Sequence, residues 1–300
     1  MRMAALVMGG LVLACSTEAG AQGVVGKWDL TVRDPGGDYP MWVQVVAGPP
    51  VGARLQGRFG HAVPMSAVTV EGDDLRFTLP GENPPRFEAS ARGDRLEAAL
   101  VYPDGRRVAV EGRRAPELSR AAPRGGWGEP VDLLANGRDG WRTRGDRDGW
   151  SVADGVLINT PPSSDLISER TFDDFQLHLE FNVPEGGNSG VYLRGRYEVQ
   201  VQDDFGNAPQ NRGLAGIYGQ VSPVALPARP AGEWQTLDIT LIGRRVTIAL
   251  NGVTIVYEAE IPGITGGALD SHEERPGPIM LQGDHSGVRY RNIVITPATR

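Results

Sequence analysis

The stretch LHLEFNV, at residues 177–183, alternates strictly between apolar and polar side chains. Its leucines, phenylalanine and valine share one face of an extended chain, whereas His178, Glu180 and Asn182 share the other. A period of two residues predicts a half-buried β-strand, because the apolar residues of a helix would recur every three or four positions. This strand sets the class of the fold, since the same pattern returns along the chain.

Three further stretches alternate in the same way: GVYLR at 190–194, YEVQVQ at 197–202 and MLQGD at 280–284. Each puts long amide, carboxylate, guanidinium or phenol side chains on one face, with little of the Thr and Lys of an ordinary solvated sheet. Such groups suit sugar hydroxyls, which need paired donors and acceptors; an ordinary exposed face is the alternative. We expect one sheet face to carry His178, Glu180, Tyr192, Arg194, Glu198, Gln200, Gln282 and Asp284.

The rest of the chain also consists of short alternating runs separated by Gly, Pro, Asn and Asp, without a long helical period. This pattern predicts an all-β protein of two units. We expect a small unit at residues 24–115, a linker at 116–128 and a second, larger unit at 129–297. The linker segment is rich in Ala, Arg, Gly and Pro, which is typical of connecting chain.

Successive hairpin signals, such as Gly72-Asp73, predict a β-meander in the first unit. A meander of this length avoids exposed edges best by closing into a barrel. The opening Gly26-Lys27-Trp28 resembles the first strand of lipocalin-like barrels, and no chemistry is assigned to this unit.

Two long segments of the second unit, residues 203–232 and 262–278, are rich in Gly and Pro and show no alternation. Loops of this length inside a compact domain are usually functional or disordered. The first contains Ile217 and Tyr218 between glycines, so we expect it to pack. Both loops are expected to rim the polar face.

The formal net charge of the chain is −7. Nucleic acids and anionic membrane surfaces attract basic patches, and no basic stripe with interleaved aromatic residues occurs here. We therefore expect no nucleic-acid partner.

The N-terminus has the pattern of an export signal at residues 1–21. Arg2 precedes a short apolar run that is too short to span a bilayer, and a small-x-small cleavage site follows at 19–21. We expect a periplasmic or secreted protein with no membrane span. A lipoprotein signal, with a lipid anchor on Cys15, is the alternative. Because Cys15 is the only cysteine, no disulfide and no thiol nucleophile are expected in the mature chain.

The second unit resembles the 3-keto-disaccharide hydrolase family over roughly residues 129–297. The matching stretches are WSVADGVL at 150–157, DLISE at 165–169, FDDF at 172–175, GNSGVYLRG at 187–195, YEVQ at 197–200, AGEWQ at 231–235 and GPIMLQGDH at 277–285. The resemblance implies a concanavalin-like jelly roll of two packed antiparallel sheets. It also implies a carbohydrate substrate, a glycoside already oxidised at C3 of the sugar.

A ketone at C3 acidifies the proton at C2, so a base can start an elimination that expels the C1 substituent, after which water adds back. This route needs a base, an acid and a group that stabilises the enolate. The catalytic candidates are Glu180, Glu198, Asp284 and His285, with Glu180 and Glu198 equally weighted as the base. The substrate-binding candidates are His178, Asn188, Tyr192, Arg194, Gln200, Asp203 and Gln282.

Other functions stay open at this point, including a structural surface protein whose first unit is the binding element. A noncatalytic carbohydrate-binding module would need hydrogen bonds and stacking platforms, but not several converging carboxylates. The cofactor is unknown: Asp284 with His285, or Asp270 with His272 and Glu273, are candidate ligands for a divalent metal. Neither group has a diagnostic metal spacing, and no metal site is assigned.

Overall fold

The computed structural model describes residues 23–299, and this part of the chain consists of strands, turns and loops without a helix. The all-β prediction is confirmed. The predicted export signal and Cys15 lie outside the described residues. Within those residues, no helix is long and apolar enough to cross a membrane.

The first sheet contains nine antiparallel strands. They are β1 (Gly26–Val32), β2 (Tyr39–Val46), β3 (Gly52–Gln56), β4 (Val63–Pro64), β5 (Thr69–Glu71), β6 (Asp74–Thr78), β7 (Arg86–Arg92), β8 (Arg95–Val101) and β9 (Arg107–Arg114). Their order is β4-β3-β2-β1-β9-β8-β7-β6-β5. Strands that follow one another in sequence pair, except β4 and β5, and β1 also pairs with β9, as in an up-and-down barrel. Within the described residues no ladder joins β4 to β5, so the barrel is open at that seam.

Alternation in the first sheet builds its core. Trp28 and Leu30 of β1 lie opposite Val43 and Met41 of β2, and all four are buried in one cluster that also includes Phe87 of β7. Side chains from most of the strands meet in this cluster, so the sheet curves around it.

The remaining thirteen strands form two sheets. They are β10 (Val131–Asp132), β11 (Trp141–Thr143), β12 (Trp150–Ala153), β13 (Val156–Asn159), β14 (Leu166–Phe172), β15 (Phe175–Asn182), β16 (Asn188–Leu193), β17 (Tyr197–Gln202), β18 (Gln235–Ile242), β19 (Arg245–Leu250), β20 (Val253–Glu260), β21 (Gly277–Leu281) and β22 (Arg289–Pro297). An eight-stranded sheet has the order β12-β13-β22-β15-β18-β19-β20 with β10 beside β22. A five-stranded sheet has the order β11-β14-β21-β16-β17.

The two sheets pack face to face around one hydrophobic core. Leu177 and Leu179 of β15 contribute from the eight-stranded sheet, and Val191 of β16 and Val199 of β17 contribute from the five-stranded sheet. Two packed antiparallel sheets are the predicted sandwich. The hairpin predicted at Asn251-Gly252 joins β19 to β20, and both residues adopt the positive φ that such a turn requires.

The first sheet docks directly on the sandwich. Trp42 of β2 points away from its own core, is buried, and belongs to the hydrophobic cluster of the sandwich. Its indole Nε1 donates to the carbonyl of Ile264 at 2.9 Å. Strand β9 ends at Arg114 and β10 begins at Val131. The division of the chain into a small unit, a linker and a larger unit stays a prediction.

Candidate functional site

The outer face of the five-stranded sheet carries a row of polar side chains. Residues directly opposite one another on paired strands share a face. Tyr192 of β16 lies opposite Glu198 of β17, and Asn188 lies opposite Gln202. The intervening pair, Val191 and Val199, faces the core. The alternation therefore places Tyr192, Glu198 and Gln200 on one face, as predicted.

Strands β21 and β14 extend this face. Tyr192 lies opposite Met280, and Met280 lies opposite Ile167. Since side chains two residues apart point the same way, Gln282 beyond β21 and Asp165 before β14 reach the same side of the sheet. Both face a cleft above the strands.

The cleft encloses about 190 Å³, below the range of drug-sized ligand pockets. The two long loops rim it as predicted, through Tyr218 of the first and Gly266 and Gly267 of the second. The remaining lining residues are Phe59, Gly60, Arg144, Asp165, Asn188, Tyr192, Glu198, Gln200, Gln282, Asp284 and His285.

Glu198 lies at the floor of the cleft and is only 5% exposed. Burial raises the pKa of its carboxyl to about 8; the hydrogen bond with Tyr192 lowers it, and the charges of Asp165 and Asp284 raise it further. Gly190 makes room for this side chain, because a Cβ at that position would lie 2.5 Å from Glu198 Oε1. The result is a carboxyl that exchanges its proton near neutral pH.

Two amide oxygens beside Glu198 have no hydrogen-bond partner within residues 23–299. Gln200 Nε2 donates to Asn188 Oδ1 at 2.9 Å and to Gln202 Oε1 at 2.8 Å, which leaves its own buried Oε1 unpaired. Gln282 Oε1 is buried and unpaired as well. A buried acceptor without a donor is costly, so both oxygens are suited to a ligand that brings hydroxyl groups.

Two charged residues of the cleft carry no sequence prediction. Arg144 Nη1 lies 3.4 Å from Asp165 Oδ2 and donates to the carbonyl of Gly267 at 2.7 Å. The amide of Gly283 donates to Asp165 Oδ1 at 3.2 Å. Burial raises the pKa of Asp165. Alternation could have indicated Asp165, which stands two residues before Ile167 of β14, but no pattern in the sequence indicates Arg144.

Asp284 and His285 lie among the lining residues and are both well exposed. His285 Nδ1 lies 2.5 Å from Asp284 Oδ1. A histidine paired with a carboxylate is a frequent proton-transfer unit. Asp284 and His285 line the same cleft as Gln282.

The expectation that Glu180 and His178 share this face is wrong. Both belong to β15 of the eight-stranded sheet, on the other side of the sandwich. Arg291 and Asn292 bond the carboxylate of Glu180, and His178 Nδ1 lies 2.7 Å from Asp238. Alternation shows which residues share a face of their own strand, but not which sheet that strand joins.

Arg194 also lies elsewhere. It follows the last residue of β16, adopts a positive φ of 53°, and is fully buried. Its guanidinium donates to the carbonyl of Gly243 at 2.5 Å and to Tyr197 Oη at 3.3 Å. The left-handed backbone interrupts the alternation, so Arg194 does not follow Tyr192 onto the polar face.

Asp203 is not among the lining residues of the cleft. It comes directly after β17, and its Oδ2 accepts from the amide of Gly186 at 3.1 Å. This contact secures the turn before β16.

The candidate metal ligands at 270–273 point to different partners. Asp270 pairs with Arg196 at 2.8 Å. Glu273 is buried and accepts from Lys27 at 3.1 Å and from Tyr197 at 2.7 Å. Across residues 23–299, no group of three or more His, Cys, Asp or Glu side chains is arranged to hold a metal ion.

A jelly-roll-type sandwich with a polar cleft on the outer face of one sheet belongs to an architecture that includes lectin domains. Residues 130–296 match the model of the 3-keto-alpha-glucoside-1,2-lyase-like domain, and the chain belongs to this family. The resemblance predicted for residues 129–297 is confirmed.

Individual relatives are more distant. The 3-keto-disaccharide hydrolase of Bacteroides thetaiotaomicron is 29% identical over 140 residues, covering 34% of this chain and 48% of that protein. The chain thus spans about half the length of this curated relative. A crystal structure of a candidate glycosyl hydrolase from Parabacteroides distasonis is 28% identical with a TM-score of 0.49, covering 60% of this chain and 93% of that one. A second from the same organism is 24% identical with a TM-score of 0.47, covering 56% and 99%.

Proposed function

We propose that this protein cleaves glycosides whose sugar carries a ketone at C3, with Glu198 as the base. The observation that carries the proposal is the environment of this carboxyl, which is buried beside two unpaired amide oxygens and has a pKa of about 8. A carboxylate of raised pKa is a stronger base than an ordinary one, and a pKa near the working pH is favourable for proton transfer. Membership of the 3-keto-alpha-glucoside-1,2-lyase-like family supports the same substrate class.

The reaction begins at C2 of the keto sugar. Glu198 takes the C2 proton, the C2–H electrons form the C1–C2 double bond through the enolate, and the C1–O bond breaks. The leaving oxygen takes a proton from His285, which Asp284 orients. Addition of water across C1 and C2 then gives the free 3-keto sugar, so the net change is hydrolysis.

Arg144 and the two glutamines supply the remaining roles. Arg144 lines the cleft, whereas the substrate-binding candidate Arg194 does not. The charge of Arg144 stabilises the enolate oxygen that develops at C3. The free oxygens of Gln200 and Gln282 accept hydrogen bonds from sugar hydroxyls and fix the orientation of the ring.

The test is turnover of 3-keto-trehalose, measured as released glucose. Glu198→Gln keeps the size and polarity of the side chain but removes the base, and its rate is expected to fall by roughly 10²–10⁴-fold. Glu180→Gln is the matched control, because it makes the same chemical change on the other sheet, and it should retain turnover.

Equal turnover by the wild type and Glu198→Gln would transfer the role of base to His285 with Asp284. A wild-type protein that binds the sugar without releasing glucose would refute the enzymatic proposal and support a binding module.

We also propose that the protein is exported, because residues 1–21 have the pattern of a cleaved signal. Intact-mass analysis of the mature protein tests this point. A mass that starts at Gln22 supports simple cleavage, and a lipid-modified mass that starts at Cys15 supports the anchored alternative. An uncleaved chain contradicts both.

A further inference from the structure

One wall of the cleft comes from outside the sandwich. Residues 57–61, here called the 57–61 loop, connect β3 to β4 of the first sheet, and Phe59 and Gly60 from this loop line the same cleft as Glu198. The family match covers residues 130–296 only. The first sheet therefore adds to the site a surface that the family domain alone does not supply.

The 57–61 loop is held in one conformation by its own sheet. Gln56, a buried residue at the end of β3, donates from Nε2 to the carbonyls of Gly57 and Gly60, both at 3.0 Å. The guanidinium of Arg58 lies over the ring of Tyr39, 4.9 Å from its centroid. These contacts fix the loop before any ligand binds.

The two long loops of the sandwich hold the 57–61 loop from the other side. The amide of Gly267 donates to the carbonyl of Arg58 at 2.9 Å. A Cβ on Gly266 would collide with the backbone of Gly60, and a Cβ on Gly219 would collide with His61. Contact this close is reached only because glycine stands at both positions. The 57–61 loop is thus a built part of the wall.

Phe59 is the unusual member of this wall, because its side chain is 71% exposed. A single exposed apolar side chain is ordinary on a protein surface, but Phe59 stands on a rigid loop and lines the cleft. The face of a phenyl ring carries partial negative charge, which suits the C–H-bearing face of a pyranose. The guanidinium of Arg58 lies over one face of the ring, 5.1 Å from its centroid, so a sugar would stack on the other face.

We propose that Phe59 is a stacking platform for the sugar that leaves from C1, and that it favours substrates with a ring as leaving group. This inference rests on the proposed function, in which the oxidised sugar ring lies at Glu198. The cleft encloses about 190 Å³, which suits one sugar ring, so a second ring must extend through its mouth. Phe59 is an exposed aromatic side chain that lines the cleft.

The experiment compares two substrates that differ only in the leaving group: 3-keto-trehalose, which releases glucose, and methyl 3-keto-α-glucoside, which releases methanol. For Phe59→Ala, the ratio of kcat/KM between the first and the second is expected to fall about tenfold, mainly through KM for 3-keto-trehalose. Phe59→Tyr keeps the ring and should restore the ratio. Tyr257→Ala, which removes a side chain that is 76% exposed on β20, is the matched control and should match the wild type.

Binding is measured separately by calorimetry with 3-keto-trehalose, on Glu198→Gln and on Glu198→Gln with Phe59→Ala. Weaker binding by the double variant supports the platform even if the wild type turns over neither substrate, and that result would reject only the proposed reaction. An unchanged ratio with unchanged binding overturns the platform while the reaction stands. Equal losses on both substrates would make Phe59 a structural residue and also overturn it. A wild type that neither binds nor turns over these sugars rejects both proposals.

Discussion

The pKa of Glu198 predicts how turnover depends on pH. Burial raises this pKa from 4.5 to about 8, so only about a tenth of the carboxyls are ionised at pH 7 in the free protein. Because the proposed base is the ionised form, kcat/KM for 3-keto-trehalose in the variant His285→Asn, which lacks the proposed acid, is expected to rise about tenfold per pH unit below pH 8 and to level off above it. A profile that falls as the pH rises through 8 would show that the protonated form acts, which refutes Glu198 as the base.

The same shift predicts an effect on stability. The folded-state pKa lies above the ordinary value, so the contribution of Glu198 is fully present below about pH 4.5 and is lost as the pH rises toward 8. The difference between 4.5 and about 8 corresponds to roughly 5 kcal/mol at about 1.36 kcal/mol per pH unit. The glutamine of Glu198→Gln does not ionise, so the variant does not lose this stability as the pH rises. Urea unfolding should therefore show the variant gaining several kcal/mol over the wild type between about pH 5 and pH 9.

Asp165→Asn tests the electrostatic contribution to the raised pKa of Glu198, which is smaller than that of burial. The negative charge of Asp165 raises the pKa of Glu198, and asparagine keeps an acceptor for the amide of Gly283. The rising limb of kcat/KM is expected to move to lower pH in this variant. If the limb stays in place while the protein remains folded, another group titrates, and the electrostatic reasoning fails.

Three further outcomes follow from the buried charges and the packing of the cleft. Gly190→Ala forces Glu198 out of position and should lower kcat while circular dichroism shows an intact fold; normal kcat would mean that the carboxyl tolerates displacement. Glu273→Ala removes the buried carboxylate that pairs with both Lys27 and Arg244 and should cost about 3–5 kcal/mol in urea unfolding, whereas a loss below about 1 kcal/mol would contradict a stabilising role for these ion pairs. Burial and the charge of Glu273 raise the pKa of Asp29 to about 7, so the wild type should lose stability as the pH rises through 7, and Asp29→Asn should lose less. Identical slopes for the two proteins would exclude Asp29 as the titrating group.

The sequence predicts the strands well because alternation is a local property. In β15 each apolar residue from Phe175 to Phe181 is buried, and each polar one is at least partly exposed. The polar row on β17 follows from the same period. What alternation does not specify is which sheet a strand joins, since that depends on long-range pairing. Glu180 and Glu198 therefore look equivalent in sequence, although they lie on opposite sides of the sandwich.

Residues outside the strands were the hardest to predict. Arg144 follows β11 and reaches the cleft through its contact with Gly267, and Phe59 lies in a loop of a sheet to which the sequence assigned no chemistry. Both positions are fixed by tertiary contacts between segments far apart in the chain. No local pattern carries that information.

The segment from Ile261 to Glu273 links the first sheet to β17. It accepts the indole N–H of Trp42 at Ile264. In the plane of the sheet, Thr265 Oγ1 accepts the backbone amide of Glu198 at 2.9 Å. On the face of the strand that points away from the cleft, Tyr197 donates to Glu273 at 2.7 Å. Since Tyr197 and Glu198 are neighbours whose side chains point in opposite directions, a shift of this segment displaces the proposed base through a single peptide unit. The docking of the first sheet thus positions Glu198 as well as the wall above it.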